Sequence, residues 1–168
     1  MYVLHDKDIN ELQKGGKPLI EDYISWEHQL QPNGFDITAH EIYRFDGAGK
    51  LDFSNKEREL PECEEICWED MWAHLGMGAY KFKTNEKFNM PNDVIAFAQT
   101  RSSLLRMGCH VANGFWDTGF EGKCEGLLVV SNPHGINIKQ NARVTQVMFI
   151  RLNSESEKQY SGQYKNLK

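Results

Sequence analysis

The sequence lacks long hydrophobic runs. No apolar stretch of the 168 residues approaches the ~18 that a membrane-spanning helix needs, and the mean hydropathy is −0.60. We therefore expect no membrane partner. The opening segment 1–12 has no basic stretch followed by an apolar one, so we predict no secretory signal. Apolar residues make up 40% of the chain and are spread along it, which predicts a single domain over residues 1–168.

An excess of positive charge is also missing. The chain has 19 Lys and Arg against 24 Asp and Glu, a net charge of −5. A duplex nucleic-acid binder needs a basic surface to displace counterions, so we expect no nucleic-acid partner. A small phosphorylated ligand is compatible with this net charge, because a few arginines and a metal ion can neutralise the phosphates locally.

Cysteine is scarce, with four residues, Cys63, Cys67, Cys109 and Cys124. Without a secretory signal they predict reduced thiols and a cytoplasmic protein. Cys63 and Cys67 stand four apart, but no second pair completes a zinc set, which favours ordinary packing. The His-x-Glu and Pro-Cys-x-x-Cys motifs of zinc-dependent base deaminases are missing too, and that class is excluded.

Short apolar runs separated by turns dominate the rest of the chain. A short helix is predicted over residues 7–14, capped by Asp6. Turns are predicted at residues 46–49 and 132–135, with a type I′ turn at Asn113-Gly114. The strand-like segments are 35–39, 42–45, 51–53, 80–84, 94–100 and 144–152. This pattern predicts an all-β barrel or sandwich.

The segment Pro61–Leu75 fits two interpretations. Its apolar residues lie near helical spacing with glutamates between them, which is typical of a helix inserted in a β fold. A strand with an acidic loop is the other interpretation, and local pattern does not choose between them.

Two clusters of polar residues are candidates for a binding site. Arg101-Ser102-Ser103 offers a guanidinium fork, two hydroxyls and backbone amides, which is a set of donors for a polyphosphate. The same triplet is also a common end of a strand and start of a helix. Asp117 stands at the foot of the predicted Asn113-Gly114 hairpin, where it is either a ligand-binding carboxylate or a surface turn residue.

Five segments, taken in order, resemble the family of trimeric dUTPases and dCTP deaminases. The opening, HDKDINELQKGGKPLIEDYISWEHQLQPNGFDIT, resembles the deaminase-type helix and Gln-Pro-x-x-x-Asp segment. RSSLLRMG resembles the phosphate-binding segment, with Arg106 as in the deaminase branch. GFWDTGFEG resembles the block with the dUTPase catalytic aspartate, and ARVTQVMF the block with a glutamine. QYSGQY resembles the tail that folds over bound nucleotide.

The resemblance implies a distorted β-barrel of the dUTPase type (β-clip or jelly-roll) with a short N-terminal helix. It further implies a homotrimer with shared active sites, a deoxyuridine or deoxycytidine triphosphate as ligand, and Mg²⁺ held mainly through the phosphates and water. Residues 158–168 would form a flexible tail that closes over the nucleotide.

The resemblance also implies residue roles. Asp117 would contact the 3′-hydroxyl and activate water, and Asp36 would help to hold the metal's hydration shell. Gly114 would present backbone groups to the base, and Phe120 would lie against deoxyribose. The remaining nucleotide-binding residues would be Arg101, Ser102, Ser103, Arg106, Gln146, Tyr160, Gly162 and Gln163.

One position separates hydrolysis from deamination. In the deaminases, a glutamate ten residues beyond the aspartate activates water, and that position is Leu127 here. An alignment through Asn132 places it on Val129, which is equally aliphatic. A general base needs a proton-accepting group, and neither aliphatic side chain has one. Deamination is therefore disfavoured, and we predict a dUTP pyrophosphatase that forms dUMP. The alternatives are a dCTP deaminase or bifunctional enzyme in which a bulge near residues 124–126 brings Glu125 to the base, and a non-catalytic nucleotide-binding relative.

Overall fold

The computed structural model describes residues 1–165, and strands form most of its regular structure. Its helices are α1 (Asp6–Gln13), α2 (Trp26–Gln29) and α3 (Ser102–Arg106). Its strands are β1 (Tyr2–Val3), β2 (Ile20–Glu21), β3 (Leu30–Gln31), β4 (Gly34–Asp46), β5 (Glu62–Glu65), β6 (Trp72–Leu75), β7 (Gly78–Asn89), β8 (Val94–Thr100), β9 (Cys109–Asn113), β10 (Glu121–Val130), β11 (Ile136–Lys139) and β12 (Arg143–Arg151). The all-β prediction is confirmed.

A ten-stranded antiparallel sheet curls around the core in the order β1-β12-β4-β7-β10-β9. The sheet curls along β4, because this strand pairs with two different neighbours. Residues Phe35–Thr38 pair with β12 and residues Ala39–Arg44 pair with β7, with a register shift at residues 39–41. Strands β8 and β5 extend the sheet from β12 and β4, and β6 pairs with β11 separately. In β7, alternate residues from Tyr80 to Phe88 are buried, as expected for a sheet with one face on the core.

The N-terminal helix lies where it is predicted, but its cap differs. His5 is the N-cap residue: its ring accepts a hydrogen bond from the Asp8 backbone N–H, and the Asp8 carboxylate accepts one from the His5 backbone N–H. This reciprocal capping box replaces the predicted cap by Asp6, which is already helical. Ile9 is fully buried on the inner face of the helix. Within residues 1–165 no helix is long and apolar enough to span a membrane.

The hairpin predicted around residues 46–49 has a different second strand. Strand β4 pairs with β5, with Phe45 opposite Cys63, so the connecting loop covers residues 47–61. Leu51 and Phe53 are 78% and 106% exposed and belong to this loop. The segment Pro61–Leu75 therefore contributes strands β5 and β6, and the helical interpretation is wrong. Backbone pairing with β4, rather than local periodicity, sets the structure of β5, whose side chains are mostly exposed.

The predicted type I′ turn at Asn113-Gly114 does not form. Neither residue has a positive φ, which that turn requires at both central positions. Strand β9 ends at Asn113, and residues 114–120 form a seven-residue loop before β10. Within this loop Trp116 exchanges two backbone hydrogen bonds with Ala96 of β8, at 3.0 and 2.9 Å. The loop is thus anchored to a strand distant in sequence. The turn predicted at residues 132–135 is present, closed by a 2.9 Å backbone bond.

A buried carboxyl group lies beneath the sheet, beside a bulge in β7. Residues 84–86 of β7 stand opposite the single residue Cys124, and this places the Glu86 side chain inside the barrel. Its oxygens accept hydrogen bonds from Gln29 Nε2 (2.6 Å), the Thr38 backbone (3.0 Å) and Thr38 Oγ1 (2.7 Å). Burial raises the pKa of Glu86 above its ordinary value of 4.5, although these hydrogen bonds oppose the rise.

This burial predicts a pH-dependent stability difference. An acid with a raised pKa in the folded state retains its proton there after the unfolded chain has lost it. Folding stability therefore falls as pH rises from about 4.5 through the folded pKa, by at most ~1.4 kcal/mol per pH unit. Glu86→Gln removes this titration, so the unfolding free energy of wild type minus that of the variant should fall with pH. Urea unfolding between about pH 4.5 and 8 measures it, and a constant difference would contradict the assignment.

Candidate functional site

A cavity of about 360 Å³ opens beside the loop that connects β9 to β10. The loop contributes Gly114, Phe115, Trp116 and Phe120 to its wall. Strands β7 and β10 contribute Lys81, Lys123, Cys124 and Glu125. The β4–β5 connection contributes Phe45, Leu60, Pro61 and Cys63, and the C-terminal segment contributes Tyr160 and Tyr164. The cavity is thus largely aromatic with a few charged groups on one side, as is typical of small-molecule sites.

The C-terminal segment packs on this loop. The Tyr160 backbone donates a hydrogen bond to the Thr118 carbonyl (2.9 Å), and the Tyr160 ring meets the buried Phe120 ring edge-on, with centroids 5.3 Å apart. Gly119 has a φ of +72°, and a Cβ there would collide with the Gln159 side chain. A glycine at this position is therefore what lets the segment approach. Gly162 lies against the Tyr160 ring.

A second contact ties the same segment to the β4–β5 loop. Arg58 donates a hydrogen bond to Gln163, and its guanidinium lies over the Tyr164 ring, 5.8 Å from the centroid. Of the predicted tail residues, Tyr160 lines the cavity, while Gly162 contacts the Tyr160 ring and Gln163 bonds to Arg58. The tail predicted at 158–168 ends in residues 166–168, which lie outside the described part of the chain.

Asp117 is exposed in the loop directly after Trp116, a residue of the cavity wall. Its backbone carbonyl accepts a hydrogen bond from Phe120 (3.2 Å). Its carboxylate has no hydrogen bond or ion pair with any residue in 1–165. The carboxylate is therefore free to contact a ligand or a water molecule.

Arg101, a predicted phosphate-binding residue, pairs with Asp36 outside the lining of the cavity. The Asp36 side chain is 2% exposed, and its Oδ2 lies 3.0 Å from Arg101 Nε and 3.2 Å from Arg143 Nη1. Arg101 also donates to the Arg143 carbonyl (3.3 Å). Arg101 directly precedes α3, in which Ser102 and Ser103 expose their side chains. Arg101 Nε is held by Asp36 and Nη1 by the Arg143 carbonyl, which leaves Nη2 as a donor for an anion.

Asp36 combines burial with two positive neighbours. Burial raises the pKa of its carboxyl, whereas the guanidinium groups of Arg101 and Arg143 lower it. Through these contacts Asp36 holds the Arg101 side chain in place. The role of Asp36 near a metal's hydration shell stays a prediction. Gln146 stands opposite Asp36 in the β12–β4 register and packs over Gly34. Arg106 is exposed in the last turn of α3.

The structure thus divides the predicted site residues into two groups. Gly114, Phe120, Glu125 and Tyr160 line the cavity. The Arg101–Ser103 segment, Arg106 and Gln146 lie outside its lining, and of these Arg101 and Gln146 lie beside Asp36. A single chain therefore does not bring all of them to one cavity.

Glu125 and Leu127 share one face of β10, as their spacing predicts. The sheet register shifts beside Glu125, but the extra residues belong to β7 and not to β10. Glu125 Oε1 lies 3.2 Å from Lys81 Nζ, and the two side chains are 30% and 27% exposed. Sequence reasoning missed Lys81, because this diagonal pair depends on the β7–β10 register. It also missed Arg143, because the contact between Arg143 and Asp36 depends on the β12–β4 register.

In the chain through residue 165, no three His, Cys, Asp or Glu side chains gather into a metal-binding group. A triphosphate supplies its own oxygen ligands for Mg²⁺, which commonly keeps several waters. The four cysteines are free thiols. Burial raises the pKa of the Cys109 and Cys124 thiols, which disfavours the reactive thiolate form.

The sequence is similar to one known family and to several named proteins. A family model described as dCTP deaminase-like matches residues 3–152. A protein of Archaeoglobus fulgidus named probable deoxyuridine 5′-triphosphate nucleotidohydrolase is 47% identical over 166 residues, 98% of this chain and 96% of that protein. The deoxyuridine 5′-triphosphate nucleotidohydrolase of Methanocaldococcus jannaschii is 37% identical over 141 residues, 83% of this chain and 88% of that protein.

A solved structure supports the fold alone. The 2′-deoxycytidine 5′-triphosphate deaminase of Agrobacterium tumefaciens superimposes with a TM-score of 0.68 at 20% identity and covers 88% of this chain. The chain spans 47% of the length of that deaminase.

Proposed function

Because this chain belongs to the dCTP deaminase-like family, we propose that it is a pyrophosphatase that hydrolyses dUTP to dUMP and pyrophosphate. The observation that carries the proposal is the Asp117 carboxylate, which is exposed next to the cavity wall and has no partner among residues 1–165. Leu127 occupies the position of the deaminase glutamate, and it has no group that accepts a proton. The near full-length relatives named as deoxyuridine triphosphate nucleotidohydrolases support the same reaction.

The reaction is an in-line displacement at the α-phosphorus. Asp117 orients a water molecule and accepts its proton while the water oxygen bonds to phosphorus. The bond from the α-phosphorus to the bridging oxygen breaks, and pyrophosphate leaves with the electron pair. Arg101 and the hydroxyls of Ser102 and Ser103 hold the phosphate oxygens and stabilise their negative charge. Mg²⁺ held through the substrate's phosphates and water, with Asp36 near its hydration shell, would supply further positive charge.

The cavity holds the nucleoside in this proposal. Phe120 and Tyr160 present ring surfaces to the deoxyribose, and Gly114 presents backbone groups to the base. The part of the predicted tail that the structure describes, residues 158–165, closes over the nucleotide and excludes bulk water from the reacting phosphate. Gly162 and Gln163 belong to this closing segment, whereas Arg106 and Gln146 stand with the phosphate-binding cluster.

The division of the site residues supports a homotrimer. The phosphate-binding cluster around Arg101 does not line the cavity of its own chain. A complete site therefore joins the cavity of one subunit to the phosphate-binding cluster of another. We place the enzyme in the cytoplasm, with nucleoside triphosphates as its small-molecule partners and no nucleic acid or membrane.

A single incubation tests the function. The protein is given Mg²⁺ with dUTP or with dCTP in parallel, and the nucleotides are separated by chromatography. Conversion of dUTP to dUMP with dCTP left intact supports the proposal. Conversion of dCTP to dUTP or dUMP would instead establish deamination. Calorimetric dUTP binding without pyrophosphate release would establish a non-catalytic relative.

A further inference from the structure

We propose that Arg58 is a positioning residue that holds the C-terminal segment, residues 158–165, against the cavity and thereby sets the affinity for nucleotide. The inference rests on the proposed function, because that function assigns the closing of the cavity to this segment. Arg58 belongs to the β4–β5 loop, which contributes Leu60 and Pro61 to the cavity wall. Its hydrogen-bond partner Gln163 stands 105 positions further along the chain. The loop and the segment therefore meet at one cavity.

Arg58 makes two different contacts with the segment. Its guanidinium donates a hydrogen bond to the Gln163 side-chain oxygen and lies over the Tyr164 ring, 5.8 Å from the centroid. A guanidinium suits both contacts, because its planar face stacks on an aromatic ring while the N–H groups at its edge donate. The Tyr164 ring is part of the cavity wall. Arg58 thus holds in place a side chain that faces a bound ligand.

The β4–β5 loop is itself well held on both sides of Arg58. Lys50 and Glu59 exchange two backbone hydrogen bonds, at 2.8 and 2.9 Å. The Asp52 carboxylate accepts a hydrogen bond from the Glu57 backbone N–H at 3.2 Å, which closes the turn between them. Arg58 stands between this turn and the paired Glu59. The loop therefore gives the guanidinium a fixed support, to which the segment attaches.

The C-terminal segment has a separate attachment near its beginning. The Tyr160 backbone donates to the Thr118 carbonyl at 2.9 Å, and the Tyr160 ring packs on Phe120. The contacts of Arg58 lie toward the other end of the segment, at residues 163–164. Loss of Arg58 therefore frees that end from the β4–β5 loop and leaves the first attachment in place.

A two-state scheme connects this attachment to affinity. The end of the segment is either closed on the cavity or open, and a ligand that needs the closed form binds with its intrinsic dissociation constant divided by the closed fraction. Chymotrypsin takes an aromatic ring into its own binding slot, so it cleaves after Tyr164 in the open form, at a rate that follows the open fraction when opening is fast. The fold rise in cleavage multiplied by the fold rise in dissociation constant therefore equals the change in the opening equilibrium.

The test applies both measurements to Arg58→Gln. Cleavage after Tyr164 is followed by mass spectrometry without nucleotide, and dUMP binding is measured by calorimetry. We expect the product of the two fold-changes to be at least about tenfold, because the variant loses a hydrogen bond from a charged group and a cation–π contact. The kcat for dUTP should stay nearly constant, since saturating substrate keeps the segment closed. A product near one, or tighter binding of dUMP, would overturn the proposal.

A second ligand distinguishes this role from a direct contact with phosphate, which arginine also binds. Binding of deoxyuridine, which has no phosphate, is compared with binding of dUMP. If Arg58 acts through the segment, Arg58→Gln weakens both ligands by the same factor. If dUMP alone is weakened and cleavage of the free protein is unchanged, Arg58 is a phosphate ligand and the proposal is overturned.

Arg44 provides a matched control on the same hairpin. Its ion-pair partner is Glu64 of β5, at 3.8 Å, rather than the C-terminal segment. Arg44→Gln makes the same charge change as Arg58→Gln and should leave both the cleavage rate and dUMP binding at wild-type values. Equal effects in the two variants would overturn the proposal, because the net charge would then be their cause.

These measurements separate the inference from the proposed function, because neither cleavage nor dUMP binding requires turnover. If wild type releases no pyrophosphate from dUTP and the product of the fold-changes is as expected, the proposed function fails and the role of Arg58 stands. If wild type hydrolyses dUTP and the product is near one, the function stands and the role of Arg58 fails.

Discussion

The Asp117→Asn protein should release pyrophosphate from dUTP at least about 10²-fold more slowly than wild type, because removal of a general base costs on that order. Asparagine keeps the size of the side chain and its capacity to bond the 3′-hydroxyl, but it does not accept a proton from water. The change should therefore appear in kcat and leave dUTP binding nearly unaltered. Pyrophosphate release gives kcat, and calorimetry gives the dissociation constant.

Asp70 offers a control for this substitution. It is exposed in the turn before β6, has a φ of +49°, and does not line the cavity. Asparagine tolerates that backbone conformation as well as aspartate does, so Asp70→Asn should retain wild-type turnover. If Asp117→Asn retains turnover, Asp117 is not the general base. If the variant instead loses dUTP binding, Asp117 is a binding residue only.

The parts of the fold that follow from local pattern were predicted correctly. The alternation at Phe35, Ile37 and Ala39 marks buried positions of β4, and the run 94–100 coincides with β8. The helix α1 follows from its apolar spacing and from the glycines after it. In α1 and β8 the local preference and the fold agree, whereas in β4 the intervening Asp36 and Thr38 are buried as well.

The errors lie where distant contacts decide the structure. Asn113-Gly114 is typical of a tight hairpin, but the backbone bonds of Trp116 to Ala96 hold the loop open. Leu51 and Phe53 have strand-like composition, yet β5 occupies the position beside β4. Neither contact leaves a signal in the neighbouring sequence.

The candidate site shows the same limit. Asp117 and Arg101 could be found because each stands in a contiguous motif. The cluster of Glu86 with Gln29 and Thr38 could not, since its members are up to 57 positions apart. Lys81 resembles any surface lysine on a strand until the sheet register places it beside Glu125. Charge pairs across strands depend on register, and register is set by the whole sheet.

The second large effect concerns Arg101. Arg101→Lys should lower kcat/KM for dUTP by about 10²- to 10³-fold, the cost of losing a preorganised donor to developing charge. The Arg101 guanidinium binds Asp36 through one nitrogen and presents another nitrogen to phosphate. A lysine ammonium has a single nitrogen and cannot do both in this geometry. Asp36→Asn should act in the same direction, because it removes the charge that fixes the guanidinium. Asp93→Asn breaks a separate pair with Arg151 (3.4 Å) and serves as the control.

A double-mutant cycle then distinguishes the two roles that Asp36 has been given. If Asp36 acts by positioning Arg101, the Asp36→Asn/Arg101→Lys protein should be no slower than Arg101→Lys alone, since residues in direct contact are not additive. If Asp36 instead helps to hold the hydration shell of Mg²⁺, the two losses should multiply, and Asp36→Asn should raise the Mg²⁺ concentration needed for half-maximal rate. Thermal melting of each variant at equal concentration excludes loss of folding as the cause. The 3.0 Å contact between Arg101 Nε and Asp36 Oδ2 favours the first result.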